Sequence, residues 1–153
     1  ILQSKGKSVV FIDGDLDIIS DMIQNYIQEL DAFDLVIGSK SSQDSEIEIR
    51  HSRKILSNWF GGLVRCLTGL KIQDTQVGLK VGNGDLLRKI FSFMKTDGFA
   101  FDVELILILE KLNIKVIELP LRWVHKKGSK LSIFNDIPKM IYDLIKIKIR
   151  NFK

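Results

Sequence analysis

The stretch Val9-Val10-Phe11-Ile12-Asp13-Gly14-Asp15-Leu16-Asp17 restricts what this chain can fold into more than any other. Its apolar half is rich in β-branched side chains and reads as a buried parallel strand, which ends where carboxylates begin at alternate positions. If the backbone stays extended past Ile12, the two-residue period of a strand puts Asp13, Asp15 and Asp17 on one side. Crowded like charges repel, and a hard divalent cation is an ordinary way to neutralise them. The segment therefore predicts a sheet edge that carries a metal and phosphate site. The plainer reading of the same residues is an acidic turn entering a helix, since Asp suits both places.

At 153 residues the chain fits one domain and can bury a real core. An apolar fraction of 45% against 27% charged residues is that of a globular protein, with no repeat or low-complexity segment. The net charge of +4 is unevenly placed. Acids gather before residue 50 and bases dominate from Arg122 to Lys153, so the C-terminal third is expected to face something anionic. Cys66 is the only cysteine, which excludes an intrachain disulfide, favours a reducing compartment and predicts a thiol packed within a helix. No apolar run approaches the roughly 18–20 residues that span a bilayer, so any membrane contact should be peripheral.

Helical spacing of Ile18, Ile19, Met22, Ile23, Tyr26, Ile27 and Leu30 predicts a helix directly after the acids. Phe33 to Ser39 follows as a short strand, giving a β-α-β unit and hence a parallel sheet with crossover helices. Lys40 to Glu48 reads as a surface loop, and about Arg50 to Leu70 as a helix ended by Gly69. Asp74 to Val81 alternates as a strand, broken by Asn83-Gly84 before a short helix around Leu86 to Phe93. A helix over about Phe101 to Leu112 carries Asp102 and Glu104 as first-turn acids that suit the helix dipole. Val116 to Val124 is the last strand, at an edge or bulged because of Pro120. From Asn135 or Asp136 a basic amphipathic helix runs to the end, with Ile137, Met140, Ile141, Leu144 and Ile145 on one face and Lys139, Lys146, Lys148, Arg150 and Lys153 available for the other. Such a sheet would begin without strands on one side. The chain also opens on Ile1-Leu2 without Met, so a further β-α-β segment is expected to precede residue 1.

Several motifs stand in one order: Phe11 to Asp17, Gly38-Ser39-Lys40, Arg53 to Ser57, Asp74-Thr75-Gln76-Val77-Gly78-Leu79-Lys80, Phe99-Ala100-Phe101-Asp102-Val103-Glu104-Leu105, and Trp123 followed by Gly128-Ser129-Lys130-Leu131. Together they resemble the polyprenyl-phosphate glycosyltransferases, most of all the dolichyl-phosphate β-glucosyltransferases, with the dolichol-phosphate mannose synthases as near relatives. The resemblance implies an α/β fold of GT-A type, a Rossmann-like mixed sheet flanked by helices. Residues 1–134 would be the C-terminal part of the catalytic domain and 135–153 a basic amphipathic helix at a membrane interface. It also implies inverting, Mg²⁺- or Mn²⁺-dependent transfer of a hexose from a UDP- or GDP-sugar to a polyprenyl (dolichyl) phosphate. The expected location is peripheral, on the cytoplasmic face of a membrane, with no nucleic-acid partner.

By that likeness Asp15 is the first metal ligand. Asp13 is a second ligand or a contact to the donor, and Asp17 stands where mannose synthases often have a metal-binding Gln. Lys40, Arg53 and Ser57 fall on the acceptor phosphate, Lys40 standing where many relatives have Arg. Lys130 reaches the phosphates from a loop over the donor, and Asp74 and Gln76 sit by the transferred sugar. The residue chemistry agrees: the sugar–diphosphate bond breaks through an oxocarbenium-like state, and the leaving diphosphate gathers negative charge. A lipid phosphate nucleophile is already ionised near neutral pH and needs positioning more than deprotonation.

Other readings compete. Lys40 and Arg53 suit solvated surface charges, Lys130 a basic loop with Lys126 and Lys127, and Trp123 a core aromatic. His51 and His125 lack the spacing of zinc ligands. A hydrophobic strand before Asp-x-Asp also opens the haloacid-dehalogenase phosphatases, but Asp17 replaces the expected Thr or Val, and Gly84-Asp85 is followed by Leu86-Leu87-Arg88-Lys89 instead of a second acid. A glycosyltransferase-like binding module without activity is the non-enzymatic alternative.

Overall fold

The computed structural model describes the chain except residues 14–19, 41, 43–44, 49–50, 71, 73, 76, 97, 125–132 and 152–153. It describes no side chains for 20–21, 46–48, 51–57, 99, 122–124, 133–137 and 151. The elements are β1 (Ser8–Ile12), α1 (Ser20–Gln28), β2 (Leu35–Ser39), β3 (Glu46–Glu48), α2 (His51–Thr68), β4 (Leu79–Asn83), α3 (Gly84–Phe93), α4 (Phe101–Lys111), β5 (Val116–Pro120), β6 (Arg122–Val124) and α5 (Ile133–Asn151). Single 3-10 turns at Glu29–Asp31 and Gly98–Ala100 complete them.

The main sheet has the order β1-β4-β2-β5, and a second, small sheet pairs β3 with β6. β2 and β5 run parallel, whereas β4 lies antiparallel between β1 and β2. The sheet is thus mixed, as the resemblance implies, whereas β1, expected to be a buried parallel strand, is an edge strand antiparallel to β4 in which Val9 alone is buried. β1 and β2 do point the same way, as a β-α-β unit requires, but β4 occupies the place between them.

Register assigns the faces. Phe11 stands opposite Lys80, and Lys80 opposite Ile37, so these share one face. There Phe101 meets Phe11 edge-on with ring centroids 5.3 Å apart, seating the start of α4 over β1. On the other face α1 brings Tyr26 against Gly38, where an added Cβ would lie 3.3 Å from the phenol oxygen. With helices on both sides, every residue of β2 is buried. The core joins Leu35, Ile37, Leu79, Val81, Ile90, Ile106, Leu109 and Leu144.

Helix ends follow their cues. Asn83 caps α3 by accepting the amides of Asp85 and Leu86 at 3.0 and 3.1 Å. Gly69, at φ +76°, ends α2 in the left-handed conformation with its N–H on the Arg65 carbonyl. Elsewhere the expectations need correction. The strand placed at Asp74 begins only at Leu79, and the loop over Lys40 to Glu48 contains β3. The long last strand is split at Leu121 into β5, an edge strand as Pro120 suggests, and β6 in the second sheet. Cys66 is exposed, not packed. In α5 the buried stripe is Met140, Leu144 and Ile147, while Ile145 faces outward.

The hydroxyl of Tyr26, only 2% exposed, donates toward the carbonyls of Leu119 and Pro120 at 3.2 and 3.0 Å and so ties α1 to the end of β5. Burial pushes its pKa from 10.0 up to about 12. The folded value lies above the unfolded one, so this contribution to stability is complete below 10.0 and is lost as pH rises toward 12. Tyr26→Phe should cost about 1 kcal/mol at neutral pH. Urea melts at alkaline pH should show a shallower loss of stability for the Phe variant than for the parent.

Glu104 is buried at 4% exposure inside α4 and is more than a first-turn acid. One carboxylate oxygen accepts the amides of Lys95 and Thr96 at 3.2 and 2.8 Å, and the other lies 3.4 Å from an Arg150 nitrogen. It thereby fastens the α3–α4 connection and the end of α5 together. Glu104→Ala strands two amides and should destabilise by about 2–3 kcal/mol in urea melts.

Candidate active site at the carboxyl edge of the sheet

β1, β2 and β5 all end at one edge of the sheet, and β4 starts there. Open α/β sheets bind ligands outside the carboxyl ends of their strands. Asp13 leaves the end of β1 with its side chain exposed and its N–H on the Gly78 carbonyl at 2.8 Å. At the end of β2 the Lys40 amide donates to the Asp74 carboxylate at 2.6 Å, and the Ser39 hydroxyl reaches the same oxygen at 3.3 Å. The Asp74 amide in turn donates to Glu118 of β5 at 3.0 Å. Asp13, Lys40 and Asp74, chosen from the sequence, therefore share one edge, with Asp74 held in place by backbone and side-chain partners. Asp15, Asp17, Gln76 and Lys130 lie outside the described residues. Arg53 and Ser57 sit in the first turns of α2, with side chains that are likewise outside the description.

Beneath Asp13 is a charge pair that went unassigned in the sequence reading. Lys80 Nζ, 2% exposed, stands 2.6 Å from Asp102 Oδ1 and donates to the Val77 carbonyl at 2.6 Å. Among the described residues Asp102 Oδ1 has no partner besides this ammonium. Burial pushes the Asp102 carboxyl above its ordinary range, the Lys80 ammonium opposes this, and the negative charge of Asp13 adds to the rise. Sequence reasoning gave Glu118 and Lys80 no role here and Asp102 only that of a first-turn acid. The usable signal was Lys80 itself: a lysine between Leu79 and Val81 in a strand covered on both faces needs a buried acid.

An exposed carboxylate such as Asp13 at an open strand end is a hard oxygen donor of the kind that suits Mg²⁺ or Mn²⁺. Among the described residues no group of three or more His, Cys, Asp or Glu side chains is placed to hold a metal ion. Gly84-Asp85 heads α3 at the opposite edge, where Asp85 pairs with Arg88 at 2.6 Å. It is thus remote from Asp13, unlike the second acid that a dehalogenase-type phosphatase would need.

No family model matches the chain. Among curated proteins it is 33% identical to a dolichyl-phosphate β-glucosyltransferase of Dictyostelium discoideum over 98% of its length and 48% of that protein. It is 30% identical to the Drosophila melanogaster enzyme over 98% of this chain and 49% of the other, and 32% identical to the human one over 76% and 36%. Along nearly its whole length the chain is thus similar to dolichyl-phosphate β-glucosyltransferases. It spans about half the length of the curated relatives it matches. Among solved structures, glucosyl-3-phosphoglycerate synthase from Mycobacterium tuberculosis superposes with a TM-score of 0.63 in its complex with Mg²⁺ and UDP. In its complex with Mn²⁺ and UDP-glucose the score is 0.62. Each match covers 97% of this chain and 50% of that one, at 14% and 15% identity, and so shows a shared fold. The mixed sheet flanked by helices is of GT-A type, as the motifs implied.

Proposed function

We propose that the full-length protein transfers a hexose, most simply glucose, from a nucleotide-diphosphate sugar to dolichyl phosphate with inversion at the anomeric carbon. The observation that carries this reading is the 33% identity to a dolichyl-phosphate β-glucosyltransferase across 98% of the chain. The exposed Asp13 at the carboxyl edge supports it. Asp13, Asp15 and Asp17 would hold a divalent cation, with Asp13 and Asp15 facing the donor diphosphate. A Mg²⁺ or Mn²⁺ ion bound there supplies Lewis-acid stabilisation of the charge that develops on that leaving group.

The remaining roles fall to side chains of this chain. Lys40, Arg53 and Ser57 orient the acceptor phosphate, whose oxygen attacks C1 of the sugar as the C1–O bond to the diphosphate breaks and its electron pair leaves with the nucleotide. Lys130 steadies the phosphates. Asp74, fixed by the Lys40 amide and itself anchored on Glu118, orients sugar hydroxyls together with Gln76. The partner surface is a membrane on its cytoplasmic side, met peripherally through α5. Tyr142, Ile145 and Ile149 are exposed on that helix beside the exposed Lys139, Lys146, Lys148 and Arg150, a mixture that suits an anionic lipid surface. Among the described residues no helix is long and apolar enough to cross a membrane.

The test incubates full-length protein and membranes with a panel of labelled UDP- and GDP-sugars and looks for labelled lipid phosphate. Labelled lipid from UDP-glucose, lost in Asp15→Ala, is the expected result. No labelled lipid from any donor sinks the transferase reading, and metal-dependent nucleotide-sugar binding without transfer would mark a binding module.

A further inference from the structure

We propose that Gly78 is the seat of the Asp13 side chain, a positioning residue whose missing Cβ sets where that acid stands at the sheet edge. The inference rests on Asp13 serving the donor site. Gly78 is buried, and it is not one of the described glycines at positive φ, Gly69 and Gly98. The position therefore needs a glycine for space, not for backbone freedom.

The space is already taken by Asp13. A Cβ on Gly78 would fall 2.6 Å from the Asp13 Cβ and 2.5 Å from its Cγ, and would overlap Oδ2, where real Cβ atoms essentially never come under 3.0 Å. Because the Asp13 Cβ itself is too close, turning the carboxylate about χ1 gives no relief. The two backbones would have to part.

Neither backbone is free to do so cheaply. The Asp13 amide donates to the Gly78 carbonyl at 2.8 Å, so separation stretches the bond that fixes the acid to β4. One residue earlier the Val77 carbonyl accepts the buried Lys80 ammonium at 2.6 Å, and Lys80 is held in turn by Asp102 on α4. Moving the start of β4 would thus disturb a buried ion pair as well. By contrast, a Cβ on Gly62 in α2 meets nothing within 4 Å.

The experiment compares Gly78→Ala, Asp13→Gly and the double variant in the full-length protein, with Gly62→Ala as the control. It reads the thermal midpoint of each and calorimetric binding of UDP in the presence of Mn²⁺. The seat predicts that Gly78→Ala lowers the midpoint and weakens Mn²⁺-dependent UDP binding by about tenfold or more, as displaced ligand supports commonly do. Asp13→Gly removes the colliding atoms, so adding Gly78→Ala to it should lower the midpoint no further. Gly62→Ala should leave binding unchanged.

Binding by Gly78→Ala within about twofold of the parent while Asp13→Gly loses binding, or an equal loss of midpoint in both backgrounds, overturns the proposal. If Gly78→Ala alone does not fold, a folded double variant supports the seat and an unfolded one overturns it. Parent-like binding by Asp13→Gly would instead refute Asp13 as a donor-site residue, while the comparison of midpoints still decides whether Gly78 seats it.

Discussion

Lys80→Met should unfold this protein more readily than any other single change considered for its stability. The substitution keeps an unbranched side chain, one atom shorter, and removes the charge, leaving Asp102 with 13% side-chain exposure and no cation at 2.6 Å. Breaking a buried pair by removing one partner typically costs about 3–5 kcal/mol, because the surviving charge stays desolvated. For a domain of this size that is a Tm lower by roughly 10 °C.

The pH dependence follows from the direction of the Asp102 shift. Its folded-state pKa lies above the ordinary value of 3.8, so the native state holds the proton more tightly than the unfolded chain. Stability from that protonation is complete below 3.8 and is lost as pH rises through the elevated folded value. Without the opposing ammonium the elevation grows. The Met variant should therefore recover part of its loss as pH falls from about 7 toward about 4, and Lys80→Met with Asp102→Leu should be more stable than Lys80→Met alone. Equal midpoints for Lys80→Met and the parent would show that the pair contributes nothing.

The second large effect is on activity. Asp13→Asn keeps the size and the amide bond to Gly78 but removes a negative charge from the edge where the donor diphosphate is proposed to lie. Metal-assisted stabilisation of a leaving group is worth several kcal/mol. At about 1.4 kcal/mol per tenfold, losing one ligand should lower kcat/KM for the nucleotide sugar by about 10²–10³. The Tm should change little, because Asp13 is exposed. The effect should also exceed any change in KM for dolichyl phosphate, since that substrate is proposed to meet other side chains. Transfer within about threefold of the parent would remove Asp13 from the donor site.

Part of this molecule was legible in its residues, for identifiable reasons. Periodicity is a local property, so α2, α3 and α4 appear close to their expected bounds, and Asn83 and Gly69 act where their side-chain chemistry says they should. β1 was legible as a strand from its β-branched apolar run, but not its place: it lies at the edge of the sheet, antiparallel to β4, with Val9 buried and Ile12 41% exposed. The polyprenyl-phosphate transferase likeness was also available, because its motifs are short and ordered along the chain.

Strand order was not available. Whether the strand after α2 lies beside β1, beside β2 or between them depends on which pairing buries most surface, and alternating residues are compatible with each. The structure puts β4 between β1 and β2, antiparallel to both, and that choice creates the site's supports. It brings Gly78 against Asp13 and Lys80 under Phe101-Asp102, residues separated by tens of positions. β3 was hidden for a related reason: Glu46–Glu48 is a short, acidic segment that becomes a strand only by pairing with Arg122–Val124, itself read from the sequence as the end of one long strand. The sequence by itself determined that an apolar strand would end in an exposed carboxylate, since burial favours the one and charge the other. Only the tertiary structure decided what holds that acid in place, because a glycine's empty side and a lysine's buried partner exist only once distant strands and helices have packed.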